Sequence, residues 1–230
     1  MNCYIIVEGQ ETEMAVYPAW LTHLAPNYSR IQNARDVNNN NYYIFCGYGQ
    51  PDVFRHVTKA VEEINIINGE GNAQYDYLLV CLDTEEETRQ YLLDRINEEL
   101  KKNKKPPQGF ELIVFEQKVC MESWFLGNSL VFKDNPQDPD YLQFVKFYNV
   151  GEKNPENMPN FELARCSTTA KFHLKYLKKM LAERNMNYSK NSTGAVASSQ
   201  YLEQLIQRYK SSGHIMSFGN WYDFVIQHFK

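Results

Sequence analysis

Residues 3–9 read Cys-Tyr-Ile-Ile-Val-Glu-Gly, an apolar run that stops at an acid and a glycine. The pattern returns at 77–82, which is followed by Asp83-Thr84-Glu85, and at 112–115, which is followed by Glu116. Short apolar runs are typical of buried parallel strands, and in open α/β sheets the carboxyl ends of such strands carry ligand sites. We therefore expect a sheet whose strands end in carboxylates.

These acids suggest a metal site. Carboxylates that lie together repel each other unless a cation or a proton shares the site. Mg²⁺ prefers oxygen ligands and keeps several waters, so two or three carboxylates suit it. Asp83 and Glu85 would point the same way in an extended backbone, and Glu8 would come from a neighbouring strand. The pattern predicts a phosphoryl-transfer site that uses Mg²⁺, with Mn²⁺ as an alternative.

Strand-like and helix-like segments alternate in the first half of the chain. This alternation predicts an α/β fold with a mostly parallel four-stranded sheet flanked by helices. Turn-forming residues 68–72, ending in Asn72, are expected to end the second helix, and Lys101, Lys102, Lys104 and Lys105 suit the end of the third helix. The predicted strands cover 3–7, 42–46, 77–82 and 111–115, and the helices cover 11–24, 52–67 and 86–102.

The second half of the chain has a different pattern. Residues 135–160 are rich in Pro, Asn and Asp, which predicts an irregular connecting segment. Helices are expected over 168–184, 199–210 and 218–228. We therefore expect a catalytic domain at 1–130, a connecting segment at 131–163 and a basic helical part at 164–230 that packs on the catalytic domain.

Charge is unevenly distributed along the chain. The net charge is −4, but residues 164–230 hold ten Lys/Arg and three Asp/Glu, a balance of +7 that leaves −11 for the rest. A basic part joined to an acidic one suits a polyanion held against a metal site. A helical surface that happens to be basic explains the same numbers, and charge alone does not decide between them.

Composition excludes several classes of protein. The 43% hydrophobic content suits a packed core rather than disorder. No apolar stretch approaches the ~20 residues of a membrane span, and no signal peptide is apparent, so we expect no membrane partner. Five cysteines without a CxxC pair indicate reduced core residues in a cytoplasmic protein. No GxxxxGK[ST] occurs, so the chain carries no P-loop of its own.

Several motifs, in order along the chain, resemble those of Toprim nucleases, specifically the RloB-like branch and the related OLD group. Residues 7–13, Val-Glu-Gly-Gln-Glu-Thr-Glu, resemble the opening motif EGxxTE. Asp83-Thr84-Glu85 is similar to the Toprim DxD motif, with Glu in the second acidic position. Residues 120–128 are similar to an E-x-W-x-L signature that begins at Glu122. Tyr188-Ser189-Lys190 and residues 214–218 also fit the pattern.

The resemblance implies a Toprim (Rossmann-like) fold and a Mg²⁺-dependent endonuclease, in a group that often acts in bacterial defence against phage. It implies a nucleic acid substrate, either DNA or tRNA and other RNA, and an ATPase partner encoded separately; a homodimer is also open. Site roles follow residue by residue. Glu8 is a general acid/base or metal ligand, and Asp83 and Glu85 are metal ligands. Glu13 is a ligand or supports one, Glu122 is a ligand or a structural hydrogen-bond partner, and Lys190 neutralises phosphate charge.

Some points stay open at this stage. Glu85 is one methylene longer than the usual Asp, so the resemblance leaves one metal or two undecided. A non-catalytic Toprim module that binds nucleic acid or an ATPase would share the motifs. A receiver-like regulatory domain with Asp83 as phosphoacceptor is a third interpretation, although it lacks the pair of acids expected after the first strand.

Overall fold

An all-parallel sheet of five strands organises the first half of the chain in the computed structural model, which describes residues 1–71, 73–104 and 106–230. The strands are β1 (Cys3–Val7), β2 (Ser29–Ile31), β3 (Asn41–Cys46), β4 (Tyr77–Asp83) and β5 (Glu111–Gln117). Their order is β2-β3-β1-β4-β5, and Val7 lies opposite Cys46 on one side and Cys81 on the other. Asn72 and Lys105, named in the sequence predictions, lie outside the described residues.

Contacts divide the chain into two compact units. The first contains Met1–Leu82, Thr88–Glu116 and Asp223–Lys230, and the second contains Asp83–Glu87 and Gln117–Tyr222. The three domains predicted from the sequence stay a prediction, because compactness does not identify a catalytic domain.

Three helices of the first unit cover its sheet: α1 (Thr12–Leu24), α2 (Asp52–Glu70) and α3 (Arg89–Asn103). Even-numbered strand residues such as Ile6 and Val80 are buried in one cluster with residues of α2 and α3. Cys81 points to the opposite face, where Tyr17 of α1 hydrogen-bonds to its thiol. The helix after β1 therefore lies on one face, and the helices after β3 and β4 lie on the other.

The second unit is mainly helical. Its helices are α4 (Met121–Phe125), α5 (Pro139–Phe147), α6 (Thr169–Ala182), α7 (Gly194–Ala197) and α8 (Ser199–Ser212), and the last helix, α9 (Met216–His228), begins in this unit and ends in the first. Its core is aromatic: Phe144 and Phe172 pack edge-on at 5.3 Å, and Tyr141 and Tyr176 at 5.5 Å. Such pairs add to the stabilisation that area burial provides.

The structure confirms the α/β class, the parallel sheet and the four predicted strands, and it corrects several details. A fifth strand, β2, was not predicted, because its three residues include the exposed Ser29 and Arg30. Residues 135–160 are not all irregular: Asp138 caps α5, whose first residue is Pro139. Proline at a first helical position is a start signal rather than a breaker. Glu116 lies inside β5 instead of following it.

All five cysteines are free. Cys3, Cys46, Cys81 and Cys120 are buried, as predicted for core residues, whereas Cys166 is only partly buried. Among the described residues, no helix combines the length and the apolar character that a membrane crossing requires.

Candidate functional site

Glu8 is the first residue after β1, and the loop after β3 holds its backbone. The Gly47 N–H donates to the Val7 carbonyl at 2.8 Å, and the Gly49 N–H donates to the Glu8 carbonyl at 3.1 Å. The side-chain amide of Gln50 reaches Glu8 Oε2 at 3.5 Å. Glu8 is half-buried, so its carboxylate is both fixed in place and open to solvent.

Glu13 turns back from the first turn of α1 towards the end of β1. The Gly9 N–H donates to Glu13 Oε1 at 3.1 Å, and Glu13 is only 7% exposed. A Cβ atom at Gly9 would lie 2.8 Å from that same oxygen, which is closer than real Cβ atoms approach. Gly9 is therefore needed for the carboxylate to occupy this position. This close approach is a steric reason for the motif to contain both Gly9 and Glu13.

The charges of these carboxylates affect the pKa values of two cysteine thiols. Burial raises the pKa of Cys46, and the charges of Glu13 and Glu8 add to the increase. Burial also raises the pKa of Cys81 to about 12, with a further increase from Glu13. Cys46 and Cys81 lie opposite the same residue of β1, so the field of Glu13 reaches the carboxyl ends of β3 and β4.

In the second unit, the loop that follows β4 is fastened to residues 117–119. Thr84 N–H donates to the Gln117 carbonyl at 3.1 Å, and Glu85 N–H donates to the Val119 carbonyl at 2.8 Å. The Thr84 hydroxyl accepts from the Val119 N–H at 2.8 Å. Asp83 ends β4 half-buried, but Glu85 has φ 50° and is exposed. The extended backbone assumed for this pair is therefore wrong at Glu85.

Glu122 is a buried carboxylate on α4. It is 7% exposed, and the Tyr188 hydroxyl donates to its Oε1 at 2.9 Å. Burial raises the pKa of the neighbouring Cys120 thiol well above its ordinary value, and the charges of Glu122 and then Asp83 raise it further. Both carboxylates therefore lie within electrostatic range of one thiol. Asp83 and Glu122, 39 residues apart in the sequence, thus both contribute to the surroundings of the Cys120 thiol.

Lys190 lies in a tight turn close to this hydrogen bond. Ser189 and Ser192 exchange backbone hydrogen bonds of 3.2 and 2.9 Å, which closes the turn. Lys190 is exposed and follows Tyr188 by two residues. The turn that carries the lysine is thus anchored through Tyr188 to Glu122.

A buried serine–histidine pair was not predicted from the sequence. Ser123 Oγ lies 2.8 Å from His173 Nδ1, and His173 Nε2 lies 2.8 Å from the Met158 carbonyl. Burial lowers the pKa of His173 to about 4, so the ring is neutral. Nε2 then donates to the carbonyl, and Nδ1 accepts from the serine. Both side chains are 0% exposed, so this pair fastens α4 to α6 and does not meet substrate.

Trp124 links the two motifs at residues 120–128 and 214–218. Its Nε1 donates to Ser217 Oγ at 2.6 Å, and the Ser217 hydroxyl donates in turn to the buried carboxylate of Glu156. A side chain at Gly127 would meet Ile215 at 3.0 Å. These motif residues therefore have packing roles in the second unit.

The acids that could hold a cation are few. Among the described residues, no three or more His, Cys, Asp or Glu form a preassembled metal group. Mg²⁺ is commonly held by only one or two carboxylates, with waters and substrate phosphates completing its shell. Asp83 and Glu122 are two such carboxylates, and carboxylate oxygens are the ligands this ion prefers.

Comparisons with protein-family models, with curated proteins and with solved structures find no match to this chain. They identify no family, so the Toprim resemblance stays a prediction.

Proposed function

We propose that this chain is a Mg²⁺-dependent nuclease that hydrolyses phosphodiester bonds. One observation carries the proposal: hydrogen bonds from the Thr84 and Glu85 N–H groups to the Gln117 and Val119 carbonyls hold the end of β4, with Asp83, against the segment that leads into α4 and Glu122. Carboxylates on neighbouring segments repel each other unless a cation or a proton shares the site. Magnesium chemistry at a phosphate is the reaction class that such a pair suits best.

The fold supports a ligand site at the end of β1. In open α/β sheets, ligands bind outside the carboxyl ends of strands where the following helices change face. The helix after β1 lies opposite the helices after β3 and β4, so the change occurs at β1. Glu8 is the residue that follows this strand.

Each residue then has a role in the proposed reaction. Mg²⁺, when bound, polarises a phosphoryl oxygen and lowers the pKa of a bound water. Asp83 and Glu122 would hold the ion, with Glu85 as a further acid for it or its waters. The Toprim resemblance, rather than a contact in the structure, adds Glu13 as a further acid and Glu8 as the proton acceptor. In that role Glu8, which the Gln50 amide contacts, would take the proton of the attacking water while the water oxygen bonds to phosphorus and the leaving oxygen departs with a proton from solvent.

Besides the metal ion, a cationic side chain would stabilise the negative charge of the phosphoryl group. Lys190, exposed on its anchored turn, would neutralise negative charge on the phosphoryl group. Action in phage defence beside a separate ATPase is the setting that the Toprim resemblance implies, and this part of the proposal rests on the resemblance.

The test compares wild type with Asp83→Asn and Glu8→Gln. Asp52→Asn, which removes an exposed carboxylate from the first turn of α2, is the charge-matched control. Purified protein, alone and with any ATPase encoded beside it, is incubated with DNA and with tRNA, under Mg²⁺ and under chelator. We expect metal-dependent cleavage that falls by about a hundredfold or more in both site variants.

Titration of Mg²⁺ and Mn²⁺ by calorimetry completes the test. Cleavage at the wild-type rate in Asp83→Asn would overturn the proposed site. No cleavage of either substrate, together with no metal binding that depends on Asp83, would overturn the enzyme and favour a binding module.

A further inference from the structure

A polar cleft of about 360 Å³ opens in the first unit, at the carboxyl ends of β2 and β3. Gln10, Arg30, Gln32 and Tyr48 are among the residues that line it, together with apolar residues of β3. The volume is near the lower limit of small-ligand sites, which is enough for about one nucleotide. Its polar lining suits a ligand with both charge and hydrogen-bonding groups.

The cleft adjoins the backbone of Glu8. Cys46, another lining residue, donates from Sγ to the Glu8 carbonyl at 3.5 Å. The loop that carries Tyr48 is held to the same carbonyl through the Gly49 N–H at 3.1 Å. A ligand in the cleft would therefore lie beside the residue that we assign to proton transfer.

Tyr48 presents an aromatic ring to solvent from an unusual backbone. Its side chain is 59% exposed, and its φ of 61° lies in the left-handed region that bulky residues rarely adopt. The rings of Phe45 and His56 lie 6.1 and 6.0 Å away, so neighbouring rings support its orientation. Backbone strain of this kind is concentrated at functional sites.

Arg30 supplies a cation at the cleft. It is exposed on β2, and within the described part of the chain its guanidinium has no ion-pair partner. Arg35, in contrast, pairs with Glu70 at 2.9 Å. A planar guanidinium at the side of a cleft is suited to bind a phosphate through two hydrogen bonds.

We propose that this cleft binds one nucleotide of a single-stranded nucleic acid. The base stacks on Tyr48, the phosphate binds Arg30, and the amides of Gln10 and Gln32 face the polar edges of the base. A single strand is required because bases within a duplex offer no free face. The inference rests on the proposed function, since it places a substrate nucleotide beside the backbone of Glu8.

The experiment measures binding under chelator, where no cleavage occurs. Fluorescein-labelled 12-nucleotide single strands of DNA and RNA are titrated with protein and followed by anisotropy. Tyr48→Ala should weaken binding about tenfold, because one stacked base is lost, and Tyr48→Phe should bind like wild type. Arg30→Gln should lower the slope of log affinity against log salt by about 0.7, the value of one phosphate contact.

Matched controls come from the same unit. Tyr91→Ala removes another exposed aromatic ring, and Arg35→Gln removes the same charge as Arg30→Gln. Both should bind the single strands like wild type. The assignment would be overturned if the control variants lose as much affinity for the single strands as Tyr48→Ala and Arg30→Gln do.

Three other results would also overturn it: no binding by wild type, wild-type affinity in Tyr48→Ala, or equally tight binding of a free mononucleotide. A cleavage assay distinguishes a wrong assignment of the cleft from a wrong assignment of the nuclease. Metal-dependent cleavage that is lost in Asp83→Asn but unchanged in Tyr48→Ala would contradict nucleotide binding in the cleft and support the nuclease. Binding that depends on Tyr48, without any cleavage, would support the cleft and contradict the proposed nuclease.

Discussion

His173 should make the second unit sensitive to acid. Its ring is fully buried, and burial lowers its pKa from 6.5 to about 4. Below pH 6.5 the unfolded chain binds a proton that the folded chain does not, so the free energy of unfolding falls as pH falls. A difference of 2.5 pH units (6.5 minus 4) corresponds to about 3 kcal/mol. About two thirds of this should be lost by pH 5 and most of the remainder by about pH 4, with the loss complete below the folded-state pKa.

A buried carboxyl group in the same unit also responds to pH, so the measurement must be a difference. Burial raises the pKa of Glu156, which acts in the opposite direction. His173→Gln removes the titration and keeps a hydrogen-bonding side chain. Urea unfolding of wild type and variant, followed by tryptophan fluorescence at pH 4.5–7.5, isolates the contribution of the histidine.

We expect the variant to be less stable than wild type at pH 7 and to approach wild type as pH falls. His23→Gln, on an exposed surface of α1, is the matched control for the loss of a histidine. Parallel pH dependences for wild type and His173→Gln would refute the neutral buried imidazole. NMR titration of the ring would give a second test, with a midpoint near 4 expected.

Two further substitutions test the carboxylate positions. Gly9→Ala should displace the carboxylate of Glu13 and lower stability by about 2 kcal/mol, because a charge-assisted hydrogen bond is lost. Gly69→Ala, where open space surrounds a helical glycine, should instead raise stability by about 0.5–1 kcal/mol in the same urea assay. Tyr188→Phe should cost about 1.5–3 kcal/mol through lost hydrogen bonding to Glu122, with metal affinity followed by calorimetry. Unchanged unfolding midpoints in Gly9→Ala or Tyr188→Phe would contradict these contacts.

The central strands could be predicted because both of their faces are buried. The runs at 3–7 and 77–82 are nearly continuous in apolar residues, as parallel strands covered on two sides must be. The edge strand β2 has no such run, and its strand character depends on pairing with Asn41–Tyr43. Pairing partners are a tertiary property, so periodicity in the sequence does not reveal a strand of three residues.

The positions of the candidate residues in the fold were predictable only where they follow from strand ends. Glu8 and Asp83 lie where the chain leaves β1 and β4, and an apolar run that stops at an acid reports this directly. The pairing of Ser123 with His173 joins residues 50 apart, and no spacing rule connects them. The direction of Glu85 depends on one left-handed residue, which propensities for a non-glycine do not favour.

Helix α4 shows why loss of activity alone would not identify the catalytic residues. Glu122, Ser123 and Trp124 are consecutive, yet they hydrogen-bond to three different segments: a tyrosine in the loop after α6, a histidine of α6 and a serine of α9. Removal of Ser123 or Trp124 therefore withdraws support from the helix that carries Glu122 and lowers stability together with activity. Glu122→Gln keeps an acceptor for Tyr188 and removes only the charge. A variant that folds normally but binds metal weakly therefore identifies a metal ligand, whereas a variant that is also less stable identifies a residue that supports the helix.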